Sequence, residues 1–175
     1  MKTSATFRVV LTAMLASMVC VATMCVQIQS PMGGYVNLGD ALVLLSAYLL
    51  GKKYGPIAAG LGSMLADVLL GYGHYAPGTL VIKALCAFVA AVIYARMNAG
   101  RTVKCVVSGI AAEIIMVVGY LFYAWIVLGY GAAAISSVPG NLAQAAVGII
   151  VSTALLGLLL RSEEIREFMK RFSGR

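Results

Sequence analysis

Twelve of the thirteen Lys and Arg residues sit at the ends of long apolar runs, in alternate gaps, and this spacing commits the chain to a membrane. Lys2 and Arg8 precede the first run, and Lys52 and Lys53 occupy the second gap. Arg96, Arg101 and Lys104 surround the fourth gap, while Arg161, Arg166, Lys170, Arg171 and Arg175 follow the last run. The three remaining gaps carry no Lys or Arg. Positive charge in short loops stays cytoplasmic, so both chain ends and the second and fourth gaps are expected inside.

Composition agrees. Of 175 residues, 62% are hydrophobic and only 11% charged, and the mean hydropathy is +0.97; a soluble domain would carry about 25% charged residues. The apolar runs predict spans at Phe7–Ile28, Leu38–Leu50, Ile57–Leu70, Gly78–Tyr94, Val106–Leu128 and Leu142–Leu160. The predicted fold is therefore an all-α integral membrane protein of six transmembrane helices with cytoplasmic N- and C-termini. One substrate-binding domain is expected over residues 1–160 and a short basic amphipathic cytoplasmic tail over 161–175. The second and third spans are short against the roughly twenty residues that cross a bilayer. The first run is too long for a secretory signal and lacks a small-x-small cleavage site, so it reads as a retained helix. In the tail, Ile165, Phe168, Met169 and Phe172 alternate with charges, which suits a helix lying on the membrane surface or a solvated extension. The net charge of +7 hugs helix ends, where it meets anionic headgroups, so membrane lipid and not nucleic acid is the expected partner. Cys20, Cys25, Cys86 and Cys105 have no metal-ligand spacing and read as packing residues.

The charge-poor gaps hold the chemistry. They read Ser30-Pro-Met-Gly-Gly-Tyr-Val-Asn-Leu-Gly-Asp40, Gly71-Tyr-Gly-His-Tyr-Ala-Pro77, and Gly129-Tyr-Gly followed by Ser136-Ser-Val-Pro-Gly-Asn141. Each mixes Gly or Pro, which shape non-helical backbone, with Tyr, His, Asn or Asp, and together they point to an outward-facing binding site. Inside the apolar runs lie Asp67, Lys83 and Glu113, each costing about 2.5–3.5 kcal/mol to insert unless it finds a partner or water. Asp67 and Lys83 flank a short outer connection, so they can meet as an ion pair, line a ligand pocket, or do both. Glu113 shares a helical face with Met116, Val117 and Tyr120, and a hydrogen bond from Tyr120 or a neighbouring helix would satisfy it. Asn141 and Gln144, three apart, can read the donor and acceptor edges of a ring, cap the helix, or join it to a neighbour. Trp125 is either an interface anchor or a stacking wall. Small residues recur at four-residue spacing in Thr12/Ala16, Ala13/Ser17, Ala58/Gly62 and Ala59/Ser63, which lets helix backbones approach.

Catalytic and nucleotide signatures are missing. Gly51-Lys52 lacks the rest of a phosphate-binding loop, His74 is the one His, and no nucleophile, base and orienter can be assembled. The chain is expected to be no enzyme and to hold no metal or cofactor. Uphill transport would then take its energy from a partner or an ion gradient.

Val36-Asn-Leu-Gly-Asp40, Gly51-Lys-Lys-Tyr-Gly-Pro56, Gly60-Leu-Gly-Ser-Met-Leu-Ala-Asp67 and Pro77-Gly-Thr-Leu-Val-Ile-Lys83 resemble the substrate-binding S component of an energy-coupling factor (ECF) vitamin transporter, riboflavin-type group. The resemblance spans about Phe7 to Leu160. It implies a six-helix subunit of the bacterial cytoplasmic membrane with a pocket near the outer surface for riboflavin, pyridoxine or hydroxymethylpyrimidine. It also implies a membrane scaffold partner and two ATPase subunits that hydrolyse the ATP; the loaded subunit topples in the bilayer to release its vitamin. Docking through small residues of the first helix would fall on Thr12, Ala13, Ala16 and Ser17, with Ser where Ala is usual. The residues expected around the pocket are Asn37, Asp40, Asp67, Tyr72, His74, Tyr75, Lys83, Trp125, Asn141 and Gln144. Two rivals remain: a proton-coupled secondary transporter with Asp67 and Glu113 as relays, and a scaffold protein without a ligand.

Overall fold

The apolar runs fold into helices, because a backbone in lipid must satisfy its own hydrogen bonds. A computed structural model describes residues 5–29 and 35–173. Lys2, the Ser30–Gly34 stretch and Arg175 lie outside the described residues, as do the side chains of Lys170 and Arg171. Helix α1 covers Ala5–Cys25, and a two-stranded antiparallel hairpin, β1 (Gln27–Gln29) and β2 (Tyr35–Asn37), leads into α2, Gly39–Leu69. Helix α3 is Ala76–Arg96, and α4, Arg101–Phe122, runs on through a π turn at Tyr123–Val127. A 3-10 turn, Gly131–Ser137, precedes α5, Val138–Leu159, and α6 is Glu163–Ser173.

Four of these stretches are long and apolar enough to cross a membrane: Ala5–Cys25, Ala76–Arg96, Arg101–Val127 and Gly131–Leu159. The second and third predicted spans instead make up α2, which breaks at Gly51, where φ is 68° and ψ −171°. Positive φ at this position costs glycine nothing and a side chain much. The chain folds back there. A Cβ on Gly55 would lie 2.9 Å from the Ala47 Cα, whereas a straight helix would hold residues eight apart about 12 Å from each other. Ser46 Oγ reaches the Gly55 carbonyl oxygen at 3.3 Å across the fold. The two arms, Gly39 to Leu50 and Lys52 to Leu69, form the middle of the molecule.

Around the arms the packing is close because the contact residues are small. Val43, Leu44, Ala47 and Tyr48 of the first arm meet Ala87, Ala90 and Ala91 of α3 and Ala112 and Met116 of α4. On the second arm, a Cβ at Gly60 would sit 2.8 Å from the Leu80 carbonyl oxygen of α3, and one at Gly62 would overlap the Ala16 carbonyl of α1. Ala16 is therefore spent on internal packing, and Thr12 is buried beside it, its hydroxyl donating to the Arg8 carbonyl oxygen at 2.7 Å. Of the four predicted docking residues only Ala13 and Ser17 are exposed. They share the outer face with Met14, Met18 and Val21.

The two ends of the bundle differ in kind. Arg8, Lys52, Lys53 and Arg96 gather around one cavity at the Gly51 reversal, so charges far apart in sequence share one end. Helix α6 folds against this end. Phe172 is buried with Leu15, Leu50 and Ala58, and Phe168 lies 6.0 Å from Phe7, ring centroid to centroid. The tail is thus docked on the bundle. Tyr, Asn and Gln side chains collect at the opposite end.

Candidate functional site

At that opposite end the β hairpin closes over the mouths of α2 and α5. Its register pairs Gln27 with Asn37 and Gln29 with Tyr35, and two latches hold it. The Tyr35 hydroxyl donates to Asp67 Oδ1 at 2.6 Å, and the Asn37 N–H donates to Gln144 Oε1 at 2.7 Å. Asn37 also turns its side-chain oxygen back to accept from the Gly39 N–H at 2.7 Å, which satisfies an orphan amide at the start of α2.

Beneath the hairpin lies a cavity of about 50 Å³. Asp67, Asn37, Asn141 and Gln144 supply its polar wall, and Tyr35, Tyr75 and Tyr120 supply rings. Thr79, Ser137, Ala124 and Ala134 complete it. Burial pushes the Tyr35 phenol far above its ordinary range, with the Asp67 carboxylate adding to the effect. Burial likewise pushes Tyr75 up to about 12. Both stay protonated at physiological pH and can donate. Tyr120 donates to Thr79 Oγ1 at 3.0 Å, and Tyr75 stands 6.5 Å from the Tyr120 ring. Asp67 is only 4% exposed, and among the described residues its Oδ2 makes no hydrogen bond of good geometry, the Thr79 hydroxyl being the donor that stands beside the carboxylate. A buried acceptor left bare costs about 1–3 kcal/mol, so the cavity offers a carboxylate oxygen in need of a donor.

The floor is ionic. Gln144 uses its other end to donate from Nε2 to Asp40 Oδ2 at 2.5 Å, and Asp40 Oδ1 is ion-paired with Lys83 Nζ. Glu113 adjoins Asp40, and its Oε2 has no partner among the described residues. Lys83 Nζ also lies 5.3 Å from the Tyr120 ring centroid, a cation–π contact that helps to hold the ammonium in place. Gln144 therefore links the hairpin to a buried charge pair through one rigid amide.

Several expectations need correction. Lys83 pairs with Asp40 and not with Asp67, because Asp40 belongs to the first turn of α2 and points into the bundle. Asp67 is claimed by Tyr35, which reaches it only because residues 35–37 fold as a strand. Asp40 and Lys83 thus lie under the cavity and do not line it. Glu113 is not bonded by Tyr120, whose hydroxyl goes to Thr79. Tyr72 stacks behind Tyr35 at 4.9 Å. His74 is exposed and packs on the far side of Tyr75 at 4.8 Å. Trp125 is 42% exposed and faces away, since a helix turns roughly 100° per residue and Ala124 holds the inward position. Asn37, Asp67, Tyr75, Asn141 and Gln144 do come together in the wall. Sequence reading missed Tyr35, Thr79, Tyr120 and Ser137. Thr79 was within reach, four residues before Lys83 and so on the same face of α3, whereas nothing local marks Tyr35.

Comparison with known proteins bears on this arrangement. A family model described as "ECF-type riboflavin transporter, S component" matches residues 3–161. A protein of Pyrococcus woesei titled "Uncharacterized protein in gap 3'region" is 37% identical over 146 residues, covering 82% of this chain and 94% of its own. The "Thiamine precursor transporter HmpT" of Lactococcus lactis subsp. cremoris (strain MG1363) is 25% identical over 138 residues, covering 79% and 77%. A solved structure titled "Structure and mechanism of the S component of a bacterial ECF transporter" superposes with a TM-score of 0.69 at 19% identity, over 90% of this chain and 98% of that one. At that identity the likeness is one of fold.

Proposed function

This chain belongs to the ECF-type riboflavin transporter S component family, a family of transporter subunits and not of enzymes, and from that premise we propose that it captures a small water-soluble vitamin or vitamin precursor at the cell membrane. The observation that carries the proposal is the hairpin-covered cavity with a bare, buried Asp67 oxygen beside the amides of Asn37, Asn141 and Gln144. Such a wall matches a flat heterocycle with amino or hydroxyl donors and ring acceptors. Within the riboflavin, pyridoxine and hydroxymethylpyrimidine class, the modest volume of about 50 Å³ favours a single ring. The thiamine-precursor title of the Lactococcus relative is in keeping with an aminopyrimidine.

In this reading the two arms of α2 cross the bilayer with the four long helices, making six crossings with both ends cytoplasmic. A membrane scaffold subunit docks on the exposed α1 face at Ala13 and Ser17, and two ATPase subunits provide the energy. The test is mass spectrometry of small molecules released by heat and acid from the detergent-purified chain, with thermal shifts across a vitamin panel. A stoichiometric vitamin is the expected result. An empty chain that no vitamin stabilises would overturn the proposal. Glu113, held next to the Asp40–Lys83 pair, favours one second reading, proton-coupled transport. That reading requires uptake by this chain alone, abolished when the proton gradient is collapsed.

A further inference from the structure

We propose that the covered cavity admits its ligand as the free alcohol and rejects the phosphate monoester of the same alcohol. Where the vitamin is met in phosphorylated form, a phosphomonoester hydrolysis on the side of the membrane that the cavity faces must come first. In that reaction water cleaves the P–O bond, the alcohol keeps its oxygen and gains a proton, and orthophosphate leaves. The inference rests on the capture function proposed above and narrows its substrate class.

A phosphate monoester carries a charge of about −1.5 to −2 at pH 7, and nothing around the cavity answers it. Among the described residues of the wall there is no Lys, Arg or His, whereas Asp67 is part of it. A dianion placed there either faces a like charge or forces a proton onto Asp67, and both cost affinity. Ser30-Pro-Met-Gly-Gly34, which joins β1 to β2, adds no basic residue. Lys83 lies beneath the cavity, but its Nζ is ion-paired with Asp40 and its side chain is only 3% exposed. Arg96 stands at the far end of α3, a helix of 21 residues and so about 30 Å long.

The neutral donors are largely spent. Tyr35 donates to Asp67, Tyr120 to Thr79, Ser137 to the Ala134 carbonyl oxygen at 2.8 Å, and Gln144 Nε2 to Asp40. A helix N-terminus can hold an anion. At the start of α5, however, the Val138 N–H donates to the Ile135 carbonyl oxygen and Pro139 has no N–H. The wall retains the amides of Asn37 and Asn141 and the Tyr75 hydroxyl, which suit a neutral hydroxyl that both donates and accepts.

The test uses the detergent-purified full chain and isothermal titration. It compares the alcohol of the vitamin panel that binds most tightly with the phosphate monoester of that same alcohol, the ester checked as intact by mass spectrometry. The ester is expected to bind about a hundredfold more weakly or worse, the cost of a like-charge contact in a largely dry wall. Asp67→Asn should narrow that gap by about tenfold. Ser137→Lys, which places a cation at a half-buried position of the wall, should narrow it as well without altering Asp67. An ester that binds within about threefold of the alcohol would overturn the inference and leave the capture function standing. A gap that neither variant narrows would assign the rejection to shape and overturn the inference too. If no alcohol of the panel binds, the capture function falls and the inference falls with it.

Discussion

Replacing Lys83 by Met tests the buried ion pair directly. Both side chains are almost fully shielded, at 3% and 2% exposure, so water cannot take over when one charge is removed. Met matches the length and apolar stem of Lys, and the loss falls on Asp40, left with the Gln144 amide and the neighbouring Glu113 carboxyl. Breaking a buried pair in this way costs about 3–5 kcal/mol. For a chain of this size that corresponds to a fall in Tm of about 6–20 °C. Adding Asp40→Asn removes the stranded charge but keeps an oxygen for Gln144 Nε2, so the double variant should regain much of the loss, with a coupling of about 2 kcal/mol or more. The assay is thermal unfolding in detergent of the wild type, both single variants and the double variant, without ligand. A Lys83→Met protein within about 0.5 kcal/mol of wild type, or strictly additive single effects, would refute the reasoning. Ligand affinity measured on the same set would then report how firmly Asp40 holds the Gln144 amide in the pocket wall.

Further outcomes are expected at the hairpin, the helix packing and the exposed faces. Tyr35→Phe removes the 2.6 Å bond to Asp67 and leaves a buried carboxylate short of a donor, so it should lower stability by about 1–3 kcal/mol in thermal unfolding and weaken ligand binding by about tenfold or more by isothermal titration. Gln144→Ala releases the Asn37 N–H, so hydrogen exchange at that amide should accelerate with little change at Tyr48, deep in the core. Gly62→Ala forces a methyl into the Ala16 carbonyl and should destabilise the chain by about 1–3 kcal/mol in thermal unfolding, whereas Ala13→Leu, on the exposed face, should leave stability and ligand binding unchanged and impair uptake in the assembled transporter. Trp125→Ala and His74→Ala lie outside the cavity wall and should alter ligand affinity less than twofold in the same titration.

Much of the molecule is legible from local pattern. Apolar runs bounded by Gly, Pro and basic residues become helices because each satisfies its own backbone within the run. Charge at alternate gaps returns as one basic end, where Arg8, Lys52, Lys53 and Arg96 meet, since an antiparallel bundle brings alternate connections to the same end. The polar gaps likewise mark the end that holds the cavity, and Asn141 and Gln144 share a face through simple helical spacing. These features need nothing beyond a few residues of context.

Partners are another matter. Sequence spacing offered Asp67 as the partner of Lys83, but Asp40, 43 residues away, takes the lysine because of which faces of α2 and α3 pack together. Asp67 was left to Tyr35, 32 residues away, only because the preceding segment forms a strand. Trp125 and Ala124 differ by one residue, yet one faces outward and the other into the cavity. The sequence by itself determined which runs become helical and which end of the bundle gathers the basic and which the polar residues, because those follow from hydrophobic transfer and charge placement acting locally. Only the tertiary structure decided which acid holds the lysine, which oxygen stays bare for a ligand and which ring reaches it. Those outcomes depend on helix rotation and depth to within an ångström or two, which periodicity does not encode.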